Sequence, residues 1–459
     1  MIKNIKIKAS AIKRFLWFYS ITVFAVLVLI LLLILYRNDY DIADTITFFK
    51  DIVANILTSP ILYIIAIIPY LLFLLIKSLI KNYKQYKIIG LLKGLFFKIV
   101  VPIAILFIGN KALQSYRLSE VVNYTWDANI ENNLAEVNDY YTIDNKQRGI
   151  HVFHMNGNLE DIELLKTNNF EWITITPFIG QSHYNKPTLR LISNESYTRR
   201  LAYYKKIQQE CDKFGIKIML KPHIWLSEME DGKWRSDIEM ETEKEWNVWF
   251  ENYSQVILKY AELAQELKLE QFCIGTELET TVYIKPKKWN VLIQQIKTIY
   301  TGKLTYAANW YHEYEKVPFW DQLDYIGIQA YFPLSASGNP TLEELESNWK
   351  KHIEAIALVH KKFNKPVLFT ELGYKSIEGT SEKPWEWNSA KGLYSKISQK
   401  EQLLCYQSFF NTIWKEPWFH GIHIWEWQGH GASDGANTNF TIEGKPALNL
   451  IAKYFKIEK

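Results

Sequence analysis

Gln271-Phe272-Cys273-Ile274-Gly275-Thr276-Glu277 is a short apolar run that stops on a carboxylate, and Pro366-Val367-Leu368-Phe369-Thr370-Glu371 repeats the pattern later in the chain. Compact runs of this kind, bounded by polar or Gly/Pro segments, read as buried strands. Six more occur: Arg148–His154, Trp172–Phe178, Ile216–His223, Leu304–Asn309, Tyr325–Tyr331 and Gly421–Glu426. Amphipathic segments separate them, namely Leu159–Asn168, Ser196–Phe214, Thr242–Leu267, Lys287–Tyr300, Leu342–Lys362 and Gln399–Lys415. Phe214-Gly215-Ile216 and Lys365-Pro366-Val367 mark returns from helix to strand. Such alternation builds a parallel sheet, and over residues 148–459 it predicts an α/β fold of the (β/α)8 TIM barrel type. An open doubly wound sheet is the alternative. If it bound a nucleotide it would carry a glycine-rich phosphate turn, and neither G-x-G-x-x-G nor a Walker A sequence occurs.

In a (β/α)8 barrel the active face lies at the C-terminal ends of the strands, so polar residues closing an apolar strand are the informative ones. They are Arg148 and His151 on the first strand, Lys221 and His223 on the third, Thr276, Glu277 and Glu279 around the end of the fourth, and Asn309 and Trp310 on the fifth. Tyr331 closes the sixth, Glu371 the seventh, and Trp425, Glu426 and Trp427 the eighth. A lone Glu at a strand end is usually a solvated loop residue or a helix cap. Two of them, closing the fourth and seventh strands of one barrel, face each other across its mouth. Glycosidic cleavage needs such a pair: an acid that protonates the departing oxygen and a carboxylate on the other side of the anomeric carbon. Glu279 shares the strand parity of Glu277, and Glu277 is preferred because it lies nearer the strand end.

Aromatic residues point the same way. Sugar rings have apolar C–H faces and polar edges, so a glycan groove combines flat rings with amide, carboxylate and basic groups. Trp310-Tyr311, Trp225 and Trp425-Glu426-Trp427 fall near strand ends, and Trp385 and Trp387 lie in the loop after Glu371. Core packing is the plainer reading for any single one. No metal or other cofactor is implied. His151 and His154 point to opposite strand faces, His420, His423 and His430 lack a carboxylate partner, and no H-E-x-x-H or G-x-S-x-G occurs. Cys211, Cys273 and Cys405 are too few and too dispersed for a disulfide framework and read as free thiols.

The 459 residues carry a net charge of +4 that conceals a split: residues 1–120 hold 15 Lys/Arg against 5 Asp/Glu, and the remainder 38 against 44. A basic terminus on an acidic body argues for membrane lipid as a partner and against nucleic acid. Residues 15–36 and 56–76 are uncharged and apolar, each matching the roughly 20 residues that cross a bilayer, and 94–110 is a third candidate containing Lys98 and Pro102. Residues 1–111 thus read as a membrane anchor of two to three transmembrane helices, and 112–147 as a linker. Lysines before the first span and in 77–93 place those segments in the cytoplasm by the positive-inside bias. A third crossing then puts the large domain outside the cytoplasmic membrane; without it the domain is cytoplasmic.

With these residues assembled, 148–455 resembles glycoside hydrolase family 113, a branch of the retaining (β/α)8 glycosidase clan that contains β-mannanases. The resemblance rests on Arg148-Gly149-Ile150-His151, Lys221-Pro222-His223, Ile274-Gly275-Thr276-Glu277-Leu278-Glu279, Ile326-Gly327-Ile328-Gln329-Ala330-Tyr331, Phe369-Thr370-Glu371-Leu372-Gly373-Tyr374 and Ile424-Trp425-Glu426-Trp427. It implies Glu277 as acid/base, Glu371 as nucleophile, Tyr331 as a donor to the nucleophile and Trp425 as the floor beneath the cleaved sugar. Substrate contacts are expected from Arg148, Lys221, His223, Thr276, Asn309, Trp310 and Trp427. Thr276 departs from the asparagine that many clan members carry before the acid/base. The expected activity is retaining hydrolysis of β-mannosidic oligo- or polysaccharides. The alternative is a non-catalytic glycan-binding or envelope-polysaccharide assembly protein, a reading that multi-span anchoring favours.

Overall fold

The computed structural model describes residues 13, 15–25, 28, 60–118, 139–153, 160–228, 232–336, 338–387, 395–429 and 437–457. The rest of the first predicted span, residues 56–59 of the second, residues 119–138 of the predicted linker, His154 and His430 lie outside these.

Residues 1–114 and 115–459 form two compact units. In the first, helix α1 (Pro60–Leu95) passes through a π-helical turn, Phe96–Val100, into α2 (Val101–Arg117). Among the described residues one helical stretch, Ile67–Arg117, is long and apolar enough to cross a membrane, with a mean hydropathy of 2.3 in its best window. Phe15–Ala25 is a shorter apolar helix. The segment 77–93, expected as a loop, is helical on either side of a break at Tyr86 and Lys87. Its Lys, Gln, Leu and Ile residues are ordinary helix formers, and no Pro interrupts them. The chain reverses inside α1 at Tyr86 (φ −128°, ψ 16°) and Lys87 (φ 54°, ψ −141°). Beyond the reversal Lys98 Nζ donates to Ser78 Oγ at 2.6 Å, and a Cβ on Gly94 would lie 2.9 Å from Leu79 Cδ2. Gly90 and Gly94 therefore let two antiparallel arms approach closely, as small residues spaced by four do in apolar helix pairs.

The second unit is a closed barrel of eight parallel strands: β1 (Gln147–Val152), β2 (Trp172–Ile175), β4 (Lys217–Leu220), β6 (Gln271–Thr276), β7 (Lys303–Asn309), β8 (Tyr325–Gln329), β9 (Val367–Leu372) and β10 (Phe419–Trp427), with β10 closing on β1. Each coincides with a predicted strand. The second and third predicted strands ran on too far, because each breaks at a Pro and resumes in a separate parallel pair, β3 (Phe178–Gln181) and β5 (His223–Leu226). Helices pack around the sheet. The longest of the barrel unit, α3 (Glu243–Glu266), starts at a capping box in which Thr242 and Glu245 satisfy each other's backbone N–H. It buries Trp246, Trp249, Phe250, Tyr253, Val256, Ile257 and Tyr260 along one stripe.

The barrel interior is polar in its lower half. Gln147 Nε2 donates to Gln271 Oε1 at 2.7 Å, His423 Nε2 meets Gln147 Oε1 at 2.8 Å, and Thr174 Oγ1 meets His423 Nδ1 at 2.6 Å. Higher up, His151 Nε2 meets the Thr370 carbonyl at 2.8 Å and His151 Nδ1 meets Thr176 Oγ1 at 3.1 Å. Carbonyl and amide-oxygen acceptors at Nε2 place the proton there in both rings, leaving Nδ1 to accept from a hydroxyl. Burial, then neighbouring positive charge, holds both imidazoles well below the usual histidine range, so they are neutral spacers.

Gly149 makes room for this column. A Cβ there would fall 2.3 Å from His423 Nδ1. Replacing Gly149 by Ala should destabilise the barrel by about 1–3 kcal/mol through overpacking, read as a lower chemical-denaturation midpoint with an unchanged slope; an unchanged midpoint would show that His423 moves freely.

Candidate active site

Glu371 sits near the end of β9 and is 4% exposed. Lys221, just past β4, places Nζ 2.5 Å from Glu371 Oε1 and 2.7 Å from Gln329 Oε1. Tyr331, just past β8, donates its hydroxyl to Glu371 Oε2 at 2.8 Å. Tyr331 and Glu371 come from neighbouring strands and Lys221 from the opposite side of the barrel, so closure of the sheet delivers all three to one point. Burial draws the Lys221 ammonium below its usual range, opposed by the Glu371 carboxylate. Burial, then the Glu371 charge, lifts the Tyr331 phenol well above its usual value, so it remains a donor at neutral pH.

Glu277 follows β6 directly, is 8% exposed and has a left-handed backbone, φ 53°. That conformation is uncommon for a residue with a side chain. It is held by the Glu277 N–H donating to the Ala307 carbonyl at 2.8 Å and by a relay next door: Leu278 N–H donates to Tyr306 OH at 2.7 Å, which donates to Glu313 Oε1 at 2.5 Å. Glu313 also accepts the Asn309 N–H at 2.7 Å. The Glu277 carboxylate accepts from Arg235 Nε at 2.9 Å, Trp234 Nε1 at 3.3 Å and Gln329 Nε2 at 3.4 Å. Gln329 thus touches Glu277 with its amide nitrogen, while its amide oxygen shares Lys221 with Glu371. One amide and one ammonium separate the two carboxylates.

His223 stands beside the pair. Arg235 Nη1 donates to its Nδ1 at 3.2 Å, which puts the ring proton on Nε2. That nitrogen is buried without a hydrogen-bond partner, 3.6 Å from Glu371 Oε1. Burial, then Lys221 and Arg235, keeps the ring neutral. A buried, unmatched N–H at this spot is suited to an oxygen brought by a ligand. Trp425 stacks on His223 with centroids 6.5 Å apart and clusters with Tyr331 and Phe440; its Nε1 is also unmatched. Trp310 lies against this cluster and contacts Trp385 at 4.9 Å, while Trp387 meets Trp425 at 5.7 Å.

Glu277, Glu371, Lys221, His223, Tyr331, Trp310 and Trp425 are therefore brought together, and Asn309 joins them through its backbone contact with Glu313. Arg148 is not among them. It lies near the start of β1, at the opposite end of the barrel, bound to Asp144 at 2.7 Å and the Phe455 carbonyl at 2.7 Å. A residue that opens a strand points to the stability face, which overrides its place in the resembling motif. Trp427 packs into the main hydrophobic core. The Thr276 hydroxyl donates to the Pro222 carbonyl at 3.3 Å and is 1% exposed, so it braces the third strand's end. Glu279 opens a short helix, Glu279–Ile284, and hydrogen-bonds Tyr283. Sequence reasoning missed Trp234 and Arg235, which lie on or beside the short turn Arg235–Asp237 after β5, and it missed Glu313. Gln329 stood in a quoted motif with no role.

Among the described residues no group of His, Cys, Asp and Glu could hold a metal ion. Paired carboxylates at the mouth of a closed parallel barrel, with tryptophan beside them, match a (β/α)8 glycoside hydrolase. The chain belongs to Glycoside Hydrolase Family 113, whose family model matches residues 144–445. Its fold is similar to that of the GH113 β-mannanase of Alicyclobacillus acidocaldarius, with 25% identity, 68% of this chain and 97% of that one covered, and a TM-score of 0.58. It is also similar to a GH113 β-1,4-mannanase structure at 25% identity, with 67% and 98% covered and a TM-score of 0.57. A comparison with curated proteins finds no match.

Burial lifts the Glu313 carboxyl to about 8, against the hydrogen bonds from Asn309 and Tyr306 that lower it. A carboxyl raised on folding is bound to its proton in the native state while the unfolded chain has lost it. Its stabilising contribution is thus complete below the ordinary carboxylate range and fades as pH climbs toward 8. The fall in melting temperature from about pH 5 to about pH 8 should be smaller in Glu313→Gln than in the parent; equal slopes would mean that Glu313 is ionised in the fold.

Proposed function

We propose that this chain is a membrane-tethered retaining glycoside hydrolase acting on β-mannosidic linkages. The observation that carries the reading is a pair of buried carboxylates at one barrel mouth, joined through Gln329 and each held by its own donors. Both oxygens of Glu371 are engaged, by Lys221 and by Tyr331, which aims and fixes the group as a nucleophile needs. Glu277 is held by a different set of donors, Arg235 and Trp234 on Oε2 and Gln329 on Oε1.

In the first step a Glu371 oxygen attacks the anomeric carbon while Glu277 gives its proton to the leaving glycosidic oxygen. Bond formation to the carboxylate and cleavage of the C–O bond leave a glycosyl ester on Glu371. In the second step Glu277, now ionised, takes a proton from water, whose oxygen displaces Glu371 and restores the enzyme. Tyr331 and Lys221 stabilise the carboxylate as it departs. Trp425 offers its ring to the C–H face of the sugar in the cleavage site, and the unmatched His223 Nε2–H is available to its hydroxyls. No cofactor takes part. Mannose-type substrates are favoured by the two GH113 mannanase structures at 25% identity. The helical stretch Ile67–Arg117 supports a membrane anchor, and lysines at 77–93 put its turn on the cytoplasmic side. The arm returning through residues 94–110 then carries the barrel to the outer face of the cytoplasmic membrane.

Glu371→Gln should lower kcat on manno-oligosaccharides by at least about 10^3-fold while leaving the far-ultraviolet circular dichroism spectrum unchanged; retained turnover contradicts the nucleophile assignment. In the parent enzyme, proton NMR should find the β-anomer as the first product, and initial appearance of the α-anomer would contradict retention. Binding of manno-oligosaccharides with no release of reducing ends would favour a glycan-binding role. After an alkaline carbonate wash the full chain should stay in the membrane pellet, and its release to the supernatant would exclude a spanning anchor.

A further inference from the structure

The two-stranded sheet β3–β5 lies beside the barrel mouth and has two unlike faces. Ile179, Gln181, Ile224 and Leu226 alternate along it and are at most 3% exposed. The other face carries Phe178 and Gly180 on β3, and His223 and Trp225 on β5, with Phe178 opposite His223 and Gly180 opposite Trp225. An outward strand face is expected to be polar. Here Phe178 and Trp225 are 44% and 46% exposed. Their rings meet edge to face, centroids 5.6 Å apart at 78°, and Trp225 meets Trp234 in the same way at 5.7 Å and 84°. These contacts hold the indole in place from its sides. Gly180 adds no side chain beside the indole; Arg190 packs over the Gly180 position, its Cβ 3.6 Å from where a Cβ would lie, and Trp225 stays 46% exposed.

This face is continuous with the carboxylate pair at both ends. His223, on the same strand face as Trp225, reaches within 3.6 Å of Glu371, and Trp234 donates to Glu277 at 3.3 Å. Residues two apart on a strand are about 6.6–7 Å apart, so Trp225 lies one step outward from the group beside the nucleophile. A flat, fixed aromatic surface at that distance fits the apolar C–H face of a pyranose ring. We propose that Trp225, braced from the side by Phe178, forms a binding platform for a further hexopyranosyl residue of a β-linked chain, next to the one being cleaved. The inference rests on the mannoside-hydrolase reading and deepens it. The preferred substrate is an oligosaccharide or polymer that extends past the cleavage site.

The test compares full-length parent enzyme with Trp225→Ala and Phe178→Ala. It reads kcat/KM on an aryl β-mannoside and on manno-oligosaccharides of increasing length. Loss of one aromatic contact is expected to lower kcat/KM on the longest oligosaccharide by about ten-fold and on the aryl glycoside by less than about two-fold, with Trp225→Phe recovering part of the difference. A loss equal on all substrates, or none on any, overturns the platform while the hydrolase reading stands. If the parent turns over no mannoside, that reading fails. Calorimetric binding of mannohexaose to the parent but not to Trp225→Ala would then still support the platform, and absence of binding to the parent would overturn it.

Discussion

A lysine and a glutamate buried together at the top of the barrel govern much of what surrounds them. Removing an ammonium and a carboxylate from water is tolerable only when each finds the other and the remaining protons and lone pairs are also satisfied, and breaking such a pair costs about 3–5 kcal/mol. Lys221 therefore needs the Gln329 amide oxygen, and Glu371 needs the Tyr331 hydroxyl. Gln329, once its oxygen is committed, has its nitrogen left to face Glu277. The network fixes three strand ends relative to one another before any substrate arrives. Preorganisation of this kind stabilises charge as it develops in a reaction without reorganising the site.

A similar economy governs the region beneath. A barrel interior can be filled with branched apolar residues, yet here Gln147, Gln271, Thr174, His151 and His423 occupy it. Each makes at least one hydrogen bond within the column, which is the condition for placing polar groups there. The column ends upward at the Thr370 carbonyl, the peptide just before Glu371. His151 thus braces the backbone that carries the nucleophile from below, while Tyr331 and Lys221 hold its carboxylate from above.

The barrel was legible because its signal is repeated: each apolar run followed by an amphipathic one narrows the topology. Glu277 and Glu371 were legible because a carboxylate closing an apolar strand breaks the local pattern. Arg148 was misplaced because similarity of a motif says nothing about which end of the strand a residue occupies, although strand direction alone would have put it at the far face. Trp234 and Arg235 were hidden, since the loop that carries them has no periodicity and their partner is distant in sequence. Glu313 looked like one of several acids in Glu313-Tyr314-Glu315. Only the fold reveals that it is enclosed while Glu315 is exposed. In the first unit, lysines spaced through 77–93 read as a connection; the chain does reverse there, at Tyr86 and Lys87, but its charged, helix-favouring residues keep the helix going up to the reversal on both sides.

The neutral imidazoles also determine how the protein responds to acid. His151, His223 and His423 all stay unprotonated when folded at pH values where a free histidine would already have taken up a proton. Unfolding releases three bases into water, so below the ordinary histidine range the open chain binds protons that the closed one refuses. Their contribution is intact at neutral pH and drains away as the medium acidifies. Acidification therefore acts on two levels of the barrel together, since His151 and His423 lie beneath the Glu371 strand end and His223 beside its carboxylate.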